Sequence, residues 1–527
     1  MIVTTGRMIA RMTRHTSSNG VIERVSTPCL RGTSNLLIDK AWVSPLLFML
    51  VAIAIRLPLF GLPAFQSDEQ FYLLVGQRMA EGALPFVDIW DRKPIGLFLI
   101  YRAVFLQPLD PVIAYQVMGM AFSVATALVI ERIARLIAPA DGARLAGLAY
   151  LLYQAVFNAA LGQSPVFYNL PVALAALLTM QCCTSPRDPA LARRGLVIML
   201  LLGAAIQIKY TALFEGVAMG LLLLARAHDD GWRTLRLLGT ALVWIGCALA
   251  PTLLAYAAYA IMGHGEAFAQ ANFLSIFERE AERAPAFVRL GKEALALLPF
   301  GFAMLHTPRA MPSRRGGAPA AIGPIRAWVL AALLGFLLMG TWYDHYVAPL
   351  LLPFSVLAAP ALSSLCAHRR RYRYVLLGLG VIGAMLVPAF QIREKGTAAE
   401  FASASALIAH ELAPRSCLYV YDGDSALYRT THACIPTRFA YPSHLNAANE
   451  AHALGVDAAA EVDRIMDSTP GVVVLREDAR PNAVNTQTRS VLLRQLDGRY
   501  ERFADFTLGT RRLGAFRPLH AEAPSHP

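Results

Sequence analysis

Asp68, Glu69, Asp88, Asp91, Arg92 and Lys93, four carboxylates and two cations, share a 26-residue stretch with Arg78 and Glu81. The six sit in two short runs, Ser67-Asp-Glu-Gln-Phe-Tyr72 and Asp88-Ile-Trp-Asp-Arg-Lys-Pro94, with Gly82-Ala-Leu-Pro-Phe86 between them. A carboxylate can take a proton from a hydroxyl while a neighbouring cation holds an anionic leaving group. The apolar run that follows, Ile95 to Tyr101, suits a bilayer interface, so the anion could be a lipid phosphate whose tail stays in the membrane. The same acids also have a structural use. Ser67 and Gln70 match a capping box, which starts a helix here. Asp68 and Glu69 then occupy its first turn, where acidic groups suit the helix dipole. Gly82 and Pro85 read as turn residues.

The elements that must position these groups are membrane helices. The chain has 527 residues, is 56% hydrophobic and only 16% charged, against about 25% charged in ordinary globular proteins. Its mean hydropathy is +0.45. Apolar runs recur through the first three quarters, each long enough to cross about 30 Å of hydrocarbon as a helix. The expected spans are 42–60, 110–131, 144–161, 166–183, 195–208, 211–225, 237–262, 293–306, 327–341, 347–366 and 374–391. The pair flanking Lys209 is short enough to be two half-length helices. The fold class is therefore an all-α polytopic membrane domain, 42–391, with about 11 crossings and a first outer loop at 61–95.

Charge sets the expected orientation. The net charge of +12 is not a nucleic-acid patch, because Lys and Arg concentrate in alternate short loops. The segments that would face inward hold 23, against 7 in the outer loops 61–95 and 263–292. That asymmetry places the amino terminus in the cytoplasm. Residues 1–41 are basic and lack an apolar core, so they read as an uncleaved cytoplasmic tail. Residues 395–517 read as a small soluble α/β domain outside, with helices near 398–412 and 448–468 and strands at 417–421 and 471–475. A frayed tail is expected over 518–527.

Seven cysteines show no metal-ligand spacing. Cys29, Cys182, Cys183 and Cys366 fall at the cytoplasmic side and Cys247 in a span. Cys417 and Cys434 fall in the outer domain, where a disulfide would persist; they are expected either to be bonded or to be two buried thiols. The histidines form no i, i+4 metal pair, and no Walker-type glycine loop argues for direct nucleotide use.

The order Asp-Glu, Tyr, Gly-x-x-Pro-Phe, Asp, Asp-x-Lys-Pro, placed directly after the first span, resembles the first-loop signature of the GT-C membrane glycosyltransferases. More narrowly, it is similar to the protein-mannosyltransferase and aminoarabinose-transferase relatives, which use polyprenyl-phosphate-linked sugars. Ile208-Lys209-Tyr210-Thr211-Ala212 between two short spans, Asp344-His345-Tyr346 before Pro349 and Pro353, and the outer α/β domain extend the likeness. Those families often carry Lys-Pro-Pro, whereas Ile95 and Gly96 follow Pro94 here.

The resemblance implies an inverting hexosyl or pentosyl transfer at the periplasmic face of the inner membrane. The donor would be a polyprenyl-phosphate sugar. The acceptor would be a hydroxyl of an envelope lipid such as lipopolysaccharide, a glycan or a protein. Asp68 would be the general base, with Glu69 supporting it or orienting the sugar. Lys93, with Arg92, would hold the donor phosphate, and Tyr72, Asp91, Lys209, His345 and Tyr346 would line the site. No cofactor is expected, since a phosphate leaving group needs a cation more than an acid, although some GT-C branches use a divalent ion. Lys209 also suits snorkelling to the interface, and His345 with its neighbours suits an interfacial polar cluster. A lipid-linked-sugar transporter or flippase, or a non-catalytic assembly partner, is the competing class. A transporter would carry its charges at mid-membrane in two matching halves, a pattern not visible here.

Overall fold

The structure is a computed structural model that describes residues 40–280, 283–307, 320–363, 370–478 and 483–519. The expected tails, up to residue 39 and from 520 onward, lie outside the described residues, as do Cys29 and Cys366. In chain order the membrane region contains α1 (Val43–Arg56), α2 (Ser67–Ala80), α3 (Ile95–Ala103), α4 (Pro111–Ala134), α5 (Ala140–Val156), α6 (Ser164–Thr184), α7 (Leu191–Ile206), α8 (Ala212–Asp229), α9 (Thr234–Ile261), α10 (Gly265–Ala269), α11 (Arg283–Leu305), α12 (Ile322–Leu338), α13 (Leu351–Leu362) and α14 (Arg370–Lys395). A helix occupies each segment expected to cross. Four runs are long and apolar enough to do so by length and composition: Pro111–Ala134, Ser164–Thr184, Thr234–Ile261 and Arg371–Glu411. The segments Val43–Leu59, Ile322–Leu338 and Leu351–Leu362 are shorter apolar helices. Several boundaries differ from expectation by four or five residues, and one by more. α11 starts at Arg283 rather than near 293, because an amphipathic turn of the supposed outer loop continues the span.

α6 sits at the centre of the bundle and α9 at its rim. Two thirds of the α6 apolar window is buried inside the protein, against 6% for α9, whose apolar residues face outward on almost every side. Polar side chains tie the bundle together where lipid offers no partner. At one end Ser44 Oγ donates to Glu131 and accepts from Arg144, joining the start of α1 to the end of α4 and the start of α5. At the other end the buried Arg56 donates to the Ala160 carbonyl and to Gln154. The residues of the expected inner loop 131–144 thus share a side with the start of α1.

After α14 the chain forms α15 (Ala398–Glu411), β1 (Leu418–Val420), α16 (Ala426–Thr430), α17 (Pro442–Asn446), α18 (Ala458–Asp467), β2 (Val472–Arg476), α19 (Thr486–Leu496), β3 (Tyr500–Leu508) and β4 (Arg511–Pro518). The sheet order is β1-β2-β4-β3, parallel between β1 and β2 and antiparallel for the rest. Local sequence explains the helix starts. Thr397 and Glu400 form a capping box on α15, and Asp457 and Asn485 cap α18 and α19. The expected helix over 448–468 is shorter, starting at Ala458. The β3–β4 hairpin and α19 were not foreseen. Cys417 and Cys434 are joined in a disulfide across a 17-residue separation; Cys182, Cys183 and Cys247 are free.

Two glycines let the loop helices approach the bundle. A Cβ on Gly76 of α2 would lie 2.6 Å from the Tyr101 backbone of α3, and one on Gly96 of α3 would lie 2.5 Å from the Gln207 carbonyl oxygen. The missing side chain of Gly96 seats Lys93-Pro94 beside the turn that bears Lys209. The Gly96→Ala variant should lose about 1–3 kcal/mol through forced separation of these backbones. A lower thermal midpoint of the detergent-solubilised protein, with Leu99→Ala on the exposed side of α3 as the unaffected control, checks this.

Candidate active site

α2 begins at Ser67, as the sequence suggests, but not through a capping box. Gln66 is the N-cap residue and no side chain caps the helix. Ser67 Oγ instead lies 3.5 Å from the Tyr441 hydroxyl, and Gln70 Nε2 donates to the Tyr115 hydroxyl at 3.1 Å. The dipole reading of the acidic pair therefore lacks its capping partner, and the first turn of α2 is turned into the protein. Asp68 Oδ1 accepts from the Tyr441 hydroxyl at 2.7 Å, and Oδ2 has a long contact of 3.5 Å with Gln163 Nε2. Burial opposes the charge on Asp68, but Lys93, His345 and these two hydrogen bonds outweigh it and hold the carboxyl below its ordinary value. Its α2 neighbour behaves oppositely. Burial pushes the Glu69 carboxyl up to about 8, partly offset by the Gly162 backbone and the Tyr115 hydroxyl. Burial thus favours the protonated form of Glu69, which suits it poorly to act as a base.

Tyr72 lies one turn after Asp68 on the same face of α2, with the Lys93 ammonium 5.6 Å from its ring centroid. Burial raises Asp91 against the pull of Lys93 and Arg92, and its Oδ1 accepts from the Arg92 backbone N–H at 2.6 Å. Asp88 is a turn residue, accepting from the Leu84 backbone N–H at 2.7 Å. Phe86 carries φ +70°, rare for a bulky residue. Its ring is packed among Phe98, Tyr259 and Phe268, and its N–H bonds the Ile89 carbonyl. Gly-x-x-Pro-Phe is therefore an anchor as well as a turn, and it fixes where Asp91 to Lys93 emerge.

The remaining candidates arrive from separate turns at the same end of the bundle. The buried Lys209 ammonium, between α7 and α8, lies 4.0 Å from the Tyr346 ring centroid. His345 packs edge-on against Tyr346 at 4.7 Å. Asp68 and Lys93 both lie within electrostatic reach of His345 and Lys209. Arg92 is committed elsewhere. It forms a bidentate pair with Glu450, at 2.9 and 2.5 Å, and Glu450 also pairs with Arg279 at 2.9 Å. Sequence reasoning missed Gln163, Arg279, Tyr441, His444 and Glu450. Tyr441-Pro-Ser-His444 offered only a Tyr-Pro turn signal, with nothing to tie it to the membrane region. Because Tyr441 and Glu450 touch residues of loop 61–95, that loop and the carboxy-terminal domain lie on one side of the bundle. Among the described residues no group of three or more His, Cys, Asp or Glu is disposed to hold a metal ion.

Two outcomes test these electrostatics. Glu450→Gln leaves two largely buried guanidiniums without their carboxylate, which should cost about 3–5 kcal/mol and release the carboxy-terminal domain to limited proteolysis. For Glu69, the folded carboxyl keeps its proton up to about 8, whereas the unfolded one loses it near 4.5. The stability it contributes is therefore lost as pH rises between those values. Glu69→Gln should leave the thermal midpoint near wild type at pH 5 and raise it by several degrees at pH 8.

No family model matches the chain, and no curated protein matches it by sequence. Solved structures do. ArnT from Cupriavidus metallidurans bound to undecaprenyl phosphate superposes with a TM-score of 0.59 at 16% identity, covering 90% of this chain and 98% of that one. The same protein in the apo state gives 0.60 at 17% identity, covering 89% and 97%. A lesser likeness, with a TM-score of 0.49 at 11% identity, is to the Archaeoglobus fulgidus oligosaccharyltransferase in the apo form, over 83% of this chain and 70% of that one. With its helical membrane domain followed by a small α/β domain, this chain shares the fold of ArnT, a GT-C fold.

Proposed function

We propose that the protein transfers a sugar, with inversion, from a polyprenyl-phosphate donor to a hydroxyl of an envelope lipid, glycan or protein at the periplasmic face of the inner membrane. The observation that carries this reading is the buried Asp68 within electrostatic reach of the Lys93 ammonium, which lies 5.6 Å from the ring of Tyr72 one turn further along α2, at one end of a lipid-facing helix bundle. The ArnT structure that this fold matches was solved with undecaprenyl phosphate, which supports a lipid phosphate as the leaving group here.

The chemistry follows from the placement of charge. An acceptor hydroxyl gives its proton to Asp68 as its oxygen attacks the anomeric carbon. The bond from that carbon to the phosphate oxygen breaks, and its electron pair leaves with the lipid phosphate. Lys93 stabilises the charge that develops there, with Lys209 behind it, so no acid is needed at the leaving oxygen. Glu69 and Tyr72, beside Asp68 on α2, orient the sugar hydroxyls. A transporter has no use for an ionised base fixed by hydrogen bonds in one outer site, which favours the transferase over the flippase.

Mass analysis of envelope lipids and glycans, from cells with and without the protein, should find one sugar residue missing and so name donor and acceptor. Asp68→Asn, correctly folded, should slow that transfer about 10²–10⁴-fold, the usual contribution of a general base. Unchanged sugar content in Asp68→Asn cells would sink the base assignment.

A further inference from the structure

We propose that Tyr441 is the positioning residue for Asp68, so that the carboxy-terminal domain supplies part of the active site instead of merely covering it. This rests on the reading of Asp68 as base. Tyr441 stands 373 positions from Asp68 in sequence and donates its hydroxyl proton to Oδ1 at 2.7 Å. Oδ2 keeps only the 3.5 Å contact with Gln163. One carboxylate oxygen is thus occupied and the other is left to receive the acceptor proton. In the transfer step that proton moves to Oδ2, while the Tyr441 proton stays on the phenol throughout.

The phenol is held from two directions. Its ring packs on Phe71 of α2 at 5.1 Å and on His444 at 5.2 Å. His444 in turn stands edge-on to Trp90 of the first loop at 4.7 Å, and the Trp90 N–H bonds the Arg438 carbonyl at 2.8 Å. The ring contacts dock the domain, whereas only the hydroxyl touches the base. Tyr441→Phe therefore separates the two roles, because it keeps the ring and removes the donor.

The other groups that face Asp68 are Glu69 and Tyr72 on α2, Tyr101 on α3, Asp91 and Lys93 in the first loop, Lys209 after α7 and His345 before α13. Their overlapping titrations are resolved by difference. Infrared titration of the full-length protein in lipid nanodiscs, with Asp68→Asn used to identify the Asp68 carboxyl band, reads the protonation of that group directly and needs no substrate. In Tyr441→Phe the Asp68 midpoint should move to higher pH, since a hydrogen bond to the charged form is gone. Transfer of the sugar that Asp68→Asn cells lose should slow about tenfold. Its acid limb should rise by the same shift, with donor KM unchanged. An unmoved midpoint overturns the proposal, whether or not the rate falls, since a slower enzyme with the same titration has lost packing alone. If Asp68→Asn cells lose no sugar, the base reading fails, while the infrared midpoint still decides whether Tyr441 holds the carboxylate.

Discussion

An ionised carboxylate taken out of water must be surrounded by donors and cations or it takes up a proton. Asp68 satisfies that requirement with partners from four places: Lys93 in its own loop, Gln163 before α6, His345 before α13 and Tyr441 in the other domain. None of these is close to another in sequence. Each therefore has to be placed by some feature of the fold. Phe86 in its aromatic socket sets the path of the chain to Lys93, and Gly96 lets that path run against the α7–α8 turn. Arg92, Glu450 and Arg279 clamp the carboxy-terminal domain over the same loop.

The acids of the first loop show that environment assigns roles that residue type cannot. Asp68 and Glu69 are adjacent and both buried, yet one is held low by cations and donors while the other is pushed up to about 8 by burial. Burial also raises Asp91, and Asp88 closes a turn at the surface. Neighbouring titratable groups driven apart in this way are the pattern of an acid–base site. A uniform surface cluster of acids would have left all four ionised and solvated, and would have held no cation at a fixed distance.

The membrane helices were legible because lipid imposes a length and a composition on any crossing segment. The loop acids and Lys93 were legible because so many charges are anomalous beside a span. What sequence obscured was long-range. The capping box at Ser67 and Gln70 was a sound local rule that tertiary contacts overrode, since Tyr441 and Tyr115 took those side chains. The β3–β4 hairpin was hidden because its faces are mixed, with charges such as Arg502, Asp505 and Arg512 on half-exposed strands. Its Gly509-Thr510 turn, with Gly509 at φ +62°, was the available signal. Arg279, Tyr441 and Glu450 had none, because an ion pair or hydrogen bond between domains leaves no periodicity.

The disulfide belongs to the same argument. Cys417 sits beside Cys434 at the entry to β1, where the two also share a parallel bridge. From Cys434 the chain runs without regular structure through Thr437 and Phe439 to Tyr441. A segment of that kind has few hydrogen bonds of its own to hold it. Tying its start to the sheet removes conformational freedom at one end. The Trp90–Arg438 backbone bond and the Thr437–Glu461 bond restrain the other. Eight residues, Cys434 to Tyr441, restrained in this way can deliver a phenol to Oδ1 with little entropy left to lose. That is the condition for a short hydrogen bond between two domains to be maintained beside a buried carboxylate.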